Sequence, residues 1–201
     1  MRRTMRRTRG GASHQTATSA RVLGFDPSLT CSGYSRRLDG DLDLGRIKTT
    51  NRRGPDRLYY VRSALRRLLR EEKPELVVYE GYAFGAKGNN MFNIGELGGA
   101  LLLELWEQGI DVLVVPPTTL KQAVTTSGKA DKDRMVQAIY DLHGLHIPSH
   151  DEADAYALMT FGEAFLAGSG PAEFVKRVRA SSSKTELVPG RKFVGCNRLQ
   201  K

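Results

Sequence analysis

The chain has 201 residues, 40% hydrophobic and 26% charged, with a formal net charge of +9, which suits one domain of ordinary size with terminal extensions rather than a multidomain machine. Its longest apolar run, LGGALLLELW, is about half of what a bilayer-spanning helix needs, so a spanning membrane protein is excluded. Cys31 and Cys196 are too few and too far apart for a disulfide framework or a four-ligand zinc site, and a reducing compartment fits best.

Residues 1–21 hold six arginines and no acid. Residues 1–20 read as a disordered basic arm, in a protein expected to be cytoplasmic. The same Arg-rich, Ser/Thr-containing, acid-free composition is that of a transit peptide, which leaves an organelle as the alternative. RVLGFD (21–26) is a short apolar run ending before Pro27, the pattern of a buried strand. A second strand is expected at 32–38 and a third at 42–48, joined by Asp39-Gly40, a pair that favours a tight hairpin.

The period then changes. Leu58, Val61, Leu65, Leu68 and Leu69 recur at helical spacing and predict an amphipathic helix over 55–72. Arg62, Arg66 and Arg70 form a separate stripe, read here as a solvated face. PELVVYE (74–80) is a buried strand ending in glutamate, and GYAFGAKG follows as a loop. A largely apolar helix is predicted over 89–108, where Gly95, Gly98 and Gly99 imply close backbone packing or a kink and Trp106 reads as core. DVLVVPP (111–117) is a further strand stopped by prolines. Helices follow at 118–124, at 131–143 with Gly144 as C-cap, and at 151–166. His143, His146 and His150 share no helical face, because Gly144 and Pro148 intervene, and read as surface or satisfied histidines. Residues 167–201 hold eight Lys or Arg against Glu173 and Glu186, show no clear period, and read as a loose basic tail.

The segment 22–166 between the extensions is slightly acidic, with 17 basic and 20 acidic residues. Basic extensions attract phosphates through counterion release, or simply solubilise. Strands alternating with helices after an antiparallel opening point to an α/β fold with a mixed sheet. Asp26 and Glu80 each close an apolar strand; if those strands are parallel neighbours, both carboxylates project from one carboxyl edge. Asp151 and Asp154 are three apart at a helix start and share a face. Either could instead serve the helix end, with Ser149 and Glu152 as a capping box. Clustered carboxylates repel unless cations or protons neutralise them. Oxygen ligands suit Mg²⁺ or Mn²⁺, and two such ions can serve an in-line phosphoryl displacement.

At this point the motifs become specific. GFDPSLTCSGY, VVYEGYAF, KQAVTTSGKADK and HDEADAYAL, in this order over about residues 21–166, resemble the RuvC family of Holliday-junction resolvases within the RNase H-like superfamily. The resemblance implies an RNase H-like mixed five-stranded sheet flanked by helices. It also implies a Mg²⁺-dependent endonuclease that cuts four-way or other branched DNA junctions. Asp26, Glu80, Asp151 and Asp154 would be the catalytic carboxylates binding two Mg²⁺, with Mn²⁺ a plausible substitute. Lys121 and Lys132 would approach the DNA backbone, Lys129 would add a phosphate contact, and Tyr82 or Phe84 would either wedge into the junction or pack under its loop. Gly95 and Gly99 resemble the small-residue helix of the family's dimer interface, so a homodimer is implied. Alternatives are an RNase H-like nuclease acting on hybrids or flaps, a non-catalytic junction-binding protein, and an actin-like nucleotide hydrolase, for which no second phosphate-loop half is evident.

Overall fold

Asp39 and Gly40 both take positive φ, 53° and 86°, so the Asp-Gly pair forms the primed turn that matches strand twist. It joins β3 (Cys31–Leu38) to β4 (Asp41–Lys48). The computed structural model describes residues 3–5, 20–81 and 89–192. Before the hairpin come the edge strand β1 (Arg3–Met5) and the buried strand β2 (Val22–Asp26). After it follow α1 (Gly54–Glu71), β5 (Leu76–Glu80), α2 (Asn89–Glu107), β6 (Asp111–Val115), α3 (Pro117–Thr125), α4 (Lys132–His143) and α5 (His150–Ala167). The chain closes with α6 (Ala172–Ser181), a 3-10 turn at Ser182–Lys184 and β7 (Glu186–Val188).

The strands form one mixed sheet in the order β1-β4-β3-β2-β5-β6-β7. β2, β3 and β4 are antiparallel, whereas β2, β5 and β6 run parallel, as helix crossovers require. The expected five strands are the central five. Two short edges extend them: β1 pairs with β4, and β7 pairs with β6.

Both edges correct the reading of the extensions as unstructured. An open strand edge offers unpaired N–H and C=O groups, and three residues suffice to use them. α6 escaped notice because it buries little: Phe174, Val175 and Val178, with Ser181, are its buried residues. Phe174, Val175 and Val178 nonetheless sit at helical spacing and pack into the same cluster as α3, α4 and α5.

Strand parity divides the core. Leu23, Phe25, Val77 and Tyr79 face α1 and α2 and pack with Val61, Leu65, Leu97 and Leu101. The alternate residues Val22, Leu76 and Val78 face α5. Because side chains alternate along a strand, Asp26 and Glu80 fall on the α5 face.

α1 is held to the hairpin by a buried ion pair. Arg36 lies opposite Asp43 in the β3–β4 register, donates from Nε to Asp43 Oδ2 at 2.9 Å and from Nη1 to the Leu68 carbonyl at 2.7 Å, and also pairs with Glu71. The Arg62/Arg66/Arg70 stripe is not simply a solvated face. Arg62 Nε and Arg66 Nε donate to Glu104 of α2 at 2.6 and 2.7 Å, and the Glu104 carboxylate is fully buried. Hydrogen bonding from Arg66, against the cost of burial and aided by Arg62, brings Glu104 down to about 2. Trp106, expected in the core, is 42% exposed, with the Arg191 guanidinium 5.5 Å from its ring.

Candidate active site

Two parallel strands and one helix end build the site. β2 and β5 are in register from Val22↔Leu76 to Phe25↔Tyr79, so Asp26 and Glu80, one step further, stand side by side at the carboxyl edge. Gly81 N donates to the Val115 carbonyl at 2.9 Å and holds the chain in line with β6 as β5 ends.

α5 can deliver its first turn to this edge because two strand residues have no side chain. A Cβ on Gly24 would lie 2.2 Å from the Ala155 carbonyl oxygen, and one on Gly33 would lie 2.0 Å from the Asp151 carbonyl oxygen. Real Cβ atoms do not approach backbone that closely, so helix and sheet meet backbone to backbone. Gly162 makes a third close approach, to Val22 and Val78. Ser149 is the N-cap of α5 with no side-chain capping bond, so the capping-box alternative does not form. Arg46 Nε lies 3.5 Å from Glu152 Oε1 and ties the first turn of α5 to β4.

The electrostatics record the crowding. Asp26 is 8% exposed, and its carboxyl is held well above the usual value by burial first, then by the charge of Glu80 and a hydrogen bond to it, and by Asp154 and Asp151. Glu80 is pushed from 4.5 to about 7, chiefly by burial and with a contribution from Asp154, against the hydrogen bond to Asp26 and the charges of Lys121 and Lys132. Burial also raises Asp154; Lys132 and Lys121 oppose it, Asp151 adds to it and His150 opposes it. The four acids and the two lysines, spread over more than a hundred residues of chain, therefore share one electrostatic environment.

The remaining expected residues divide. Lys121 on α3 donates from Nζ to the Ala130 carbonyl at 2.7 Å, which anchors the 126–131 loop beside the acids. Lys132 opens α4, where Asp131 caps the helix by accepting from Arg134 N at 2.8 Å. Lys129 is exposed on the loop between them. Tyr82 and Phe84 lie outside the described residues. Of the histidines, His143 packs edge-on against Tyr156 and Phe174, while His150 Nε2 lies 3.1 Å from Asp133 Oδ1.

Cys31 was not anticipated here. Burial, then a hydrogen bond to Asp151 and its charge, push the thiol up to about 11, against Arg46 and Lys48. The signal available was positional: Cys31 precedes Gly33 in β3, and Gly33 is the residue that lets Asp151 come close.

Oxygen donors of this kind suit a hard divalent cation. Burial and repulsion among the acids raise both Asp26 and Glu80, and a divalent cation bound between them would relieve the same repulsion. Among the described residues, no three His, Cys, Asp or Glu side chains are already spaced as a metal cage. The donor chemistry fits; the side chains would turn from one another toward the ion.

The family model for crossover junction endodeoxyribonuclease RuvC matches residues 22–161. A RuvC from Synechococcus sp. (strain WH7803) is 33% identical over 150 residues, covering 71% of this chain and 97% of that protein. A RuvC from Chloroflexus aggregans is 34% identical over 146 residues, covering 69% and 89%. The Thermus thermophilus RuvC structure superposes with a TM-score of 0.61 at 23% identity, over 84% of this chain and 99% of that one. T. thermophilus RuvC in complex with Holliday junction substrate gives 0.63 at 22%, with the same coverage. These two structural likenesses speak to the fold, and the family match spans both acidic strands, the basic segment and the acidic helix. The chain therefore belongs to the RuvC family of crossover junction endodeoxyribonucleases.

Proposed function

We propose that this protein is a structure-selective DNA endonuclease that resolves four-way junctions by divalent-metal-assisted hydrolysis of a phosphodiester. The observation that carries this reading is the meeting of Asp26, Glu80 and the Asp151/Asp154 turn at one sheet edge, with Lys121 and Lys132 facing them. Asp26 and Glu80 would hold Mg²⁺ or Mn²⁺ from the sheet, and Asp154 with Asp151 from the helix. A bound pair of such ions supplies the charge that makes water nucleophilic and stabilises the departing 3′ oxygen. The carboxylates fix the direction of attack by being fixed themselves, two on β-strands and two on a helix pressed to the sheet through Gly24 and Gly33. Lys121 and Lys132 offset the acids' field, so a phosphate can approach an otherwise negative pocket, and Lys129 adds a phosphate contact at its rim. The products are a 5′-phosphate and a 3′-hydroxyl.

The working form is a homodimer, which places two such sites for paired cuts. Its support is one face of α2, where Phe92, Leu103 and Trp106 are 67, 51 and 42% exposed along the stripe that carries Gly95 and Gly99. A Cβ on either glycine would meet nothing within 4 Å, so a second helix could approach closely there. Among the described residues no helix is long and apolar enough to cross a membrane. The likeness to bacterial RuvC proteins supports a cytoplasmic location.

The test compares labelled four-way junctions with flaps, RNA–DNA hybrids and linear duplex, with and without Mg²⁺. Metal-dependent, symmetric cutting of the junction is expected. Preferential cutting of hybrids or flaps would move the protein to another substrate class.

A further inference from the structure

Past residue 161, where the family match ends, α5 finishes and the chain turns back through α6 onto the outer side of α3. Between α3, the 126–131 loop and α6 lies an open cleft of about 420 Å³. Its walls include Thr118, Thr119 and Gly128 on one side and Arg177, Ser181 and Lys184 on the other.

Two features make it a receptor for an anion. Arg177 and Lys184 form no ion pair with a carboxylate among the described residues, and Arg177 Nε is buried without a hydrogen-bond acceptor. An orphaned charged donor is costly, and an incoming anionic oxygen removes that cost. The opposite wall is rigid rather than competing. Gln122 uses both ends of its amide on the loop, accepting from Gly128 N at 3.0 Å and donating to the Thr126 carbonyl at 2.8 Å. Gly128 lies so close that a Cβ there would be 3.1 Å from the Thr118 carbonyl oxygen. Arg177 on α6 and Lys184 on the 3-10 turn after it are therefore left to the ligand.

Position names the ligand. Lys121, one residue before Gln122 on α3, acts on Glu80 and Asp154, whereas Gln122 faces the cleft. The helix that borders the acidic site thus borders the cleft with its next residue, and exposed Lys129 lies on the loop between them. A polyanion engaged at the acids and crossing α3 meets Arg177 and Lys184 next.

We propose that the α3–α6 cleft seats a backbone phosphate of a DNA arm leaving the active site, so that the chain's C-terminal segment extends the junction-binding surface. This rests on the junction-nuclease reading above. The full-length protein, Arg177→Ala, Lys184→Glu and the double variant are compared for binding of a labelled four-way junction in EDTA across a salt series. Thermal melts verify that each is folded, and the exposed Lys184 keeps the test available should Arg177→Ala fail to fold. Weaker binding is expected, with a log–log salt slope shallower by about 0.9 for each phosphate that the variant no longer neutralises. Single-turnover cleavage at saturating junction should match wild type. Variants that bind with wild-type affinity and slope overturn the proposal, while wild-type cleavage of the junction leaves the nuclease reading standing. A wild type that neither binds nor cuts junctions overturns both. A parallel melt with inorganic phosphate separates the sources. Stabilisation of wild type but not of Arg177→Ala, with junction binding unchanged, would assign the cleft to a free anion and overturn the DNA assignment.

Discussion

Replacing Glu80 by Gln should stabilise the metal-free protein while abolishing cleavage. Burial, aided by Asp154, holds Glu80 at about 7 against 4.5, so the folded state binds its proton more tightly than the unfolded state does. Such a group lowers stability as pH rises from its unfolded to its folded value. The difference corresponds to about 3 kcal/mol above neutral pH, an upper figure because Glu80 and Asp26 titrate together. Near pH 5 most of it is gone, leaving about 1 kcal/mol, since the folded carboxyl is then protonated. Glutamine keeps an amide to bond Asp26 and carries no charge. For a chain of this size the gain would raise the melting temperature by up to about 6–12 °C near pH 8, and by about a third of that near pH 5. The assay is thermal unfolding in EDTA at both pH values, beside junction cleavage in Mg²⁺. Adding Mg²⁺ should stabilise wild type by mass action and Glu80→Gln much less. A variant no more stable than wild type near pH 8, or equally shifted at both pH values, refutes the reasoning.

Three further outcomes follow from the packing. Asp43→Ala removes the cross-strand partner of buried Arg36, which keeps Glu71 and the Leu68 carbonyl, and should cost about 1–3 kcal/mol in denaturant unfolding; a loss of about 4 kcal/mol or more would show that Glu71 does not compensate the charge. Gly33→Ala places a methyl against the Asp151 backbone, so it should reduce cleavage more sharply than junction binding, and unchanged cleavage would mean that α5 need not touch β3. Leu103→Glu on the exposed α2 stripe should convert a dimer to a monomer in sedimentation, with the melting temperature nearly kept; a variant that remains dimeric would place the interface elsewhere.

What could be read from the sequence was what depends on neighbours along the chain. Strand and helix periods, the Asp39-Gly40 turn and Gly144, at φ 64° at the end of α4, are local chemistry, and each appears where expected. What escaped depends on partners far along the chain. The sequence directs attention to the α2 glycines, yet the backbone-to-backbone approaches that seat α5 on the sheet are at Gly24 and Gly33, whose partners belong to another element. Arg62 and Arg66 look solvated until α2 brings Glu104 between them. Asp26 and Glu80 could be nominated from their places at strand ends, but their adjacency needed the parallel register of β2 and β5. α6 was missed because its few apolar residues barely exceed the background of a basic tail.

The most direct test is a crystal of the protein soaked with Mn²⁺ and measured for anomalous scattering. Density between Asp26 and Glu80, reached also from the first turn of α5, is the predicted result. Manganese bound only elsewhere on the protein, with that pocket empty at saturating metal, would contradict it.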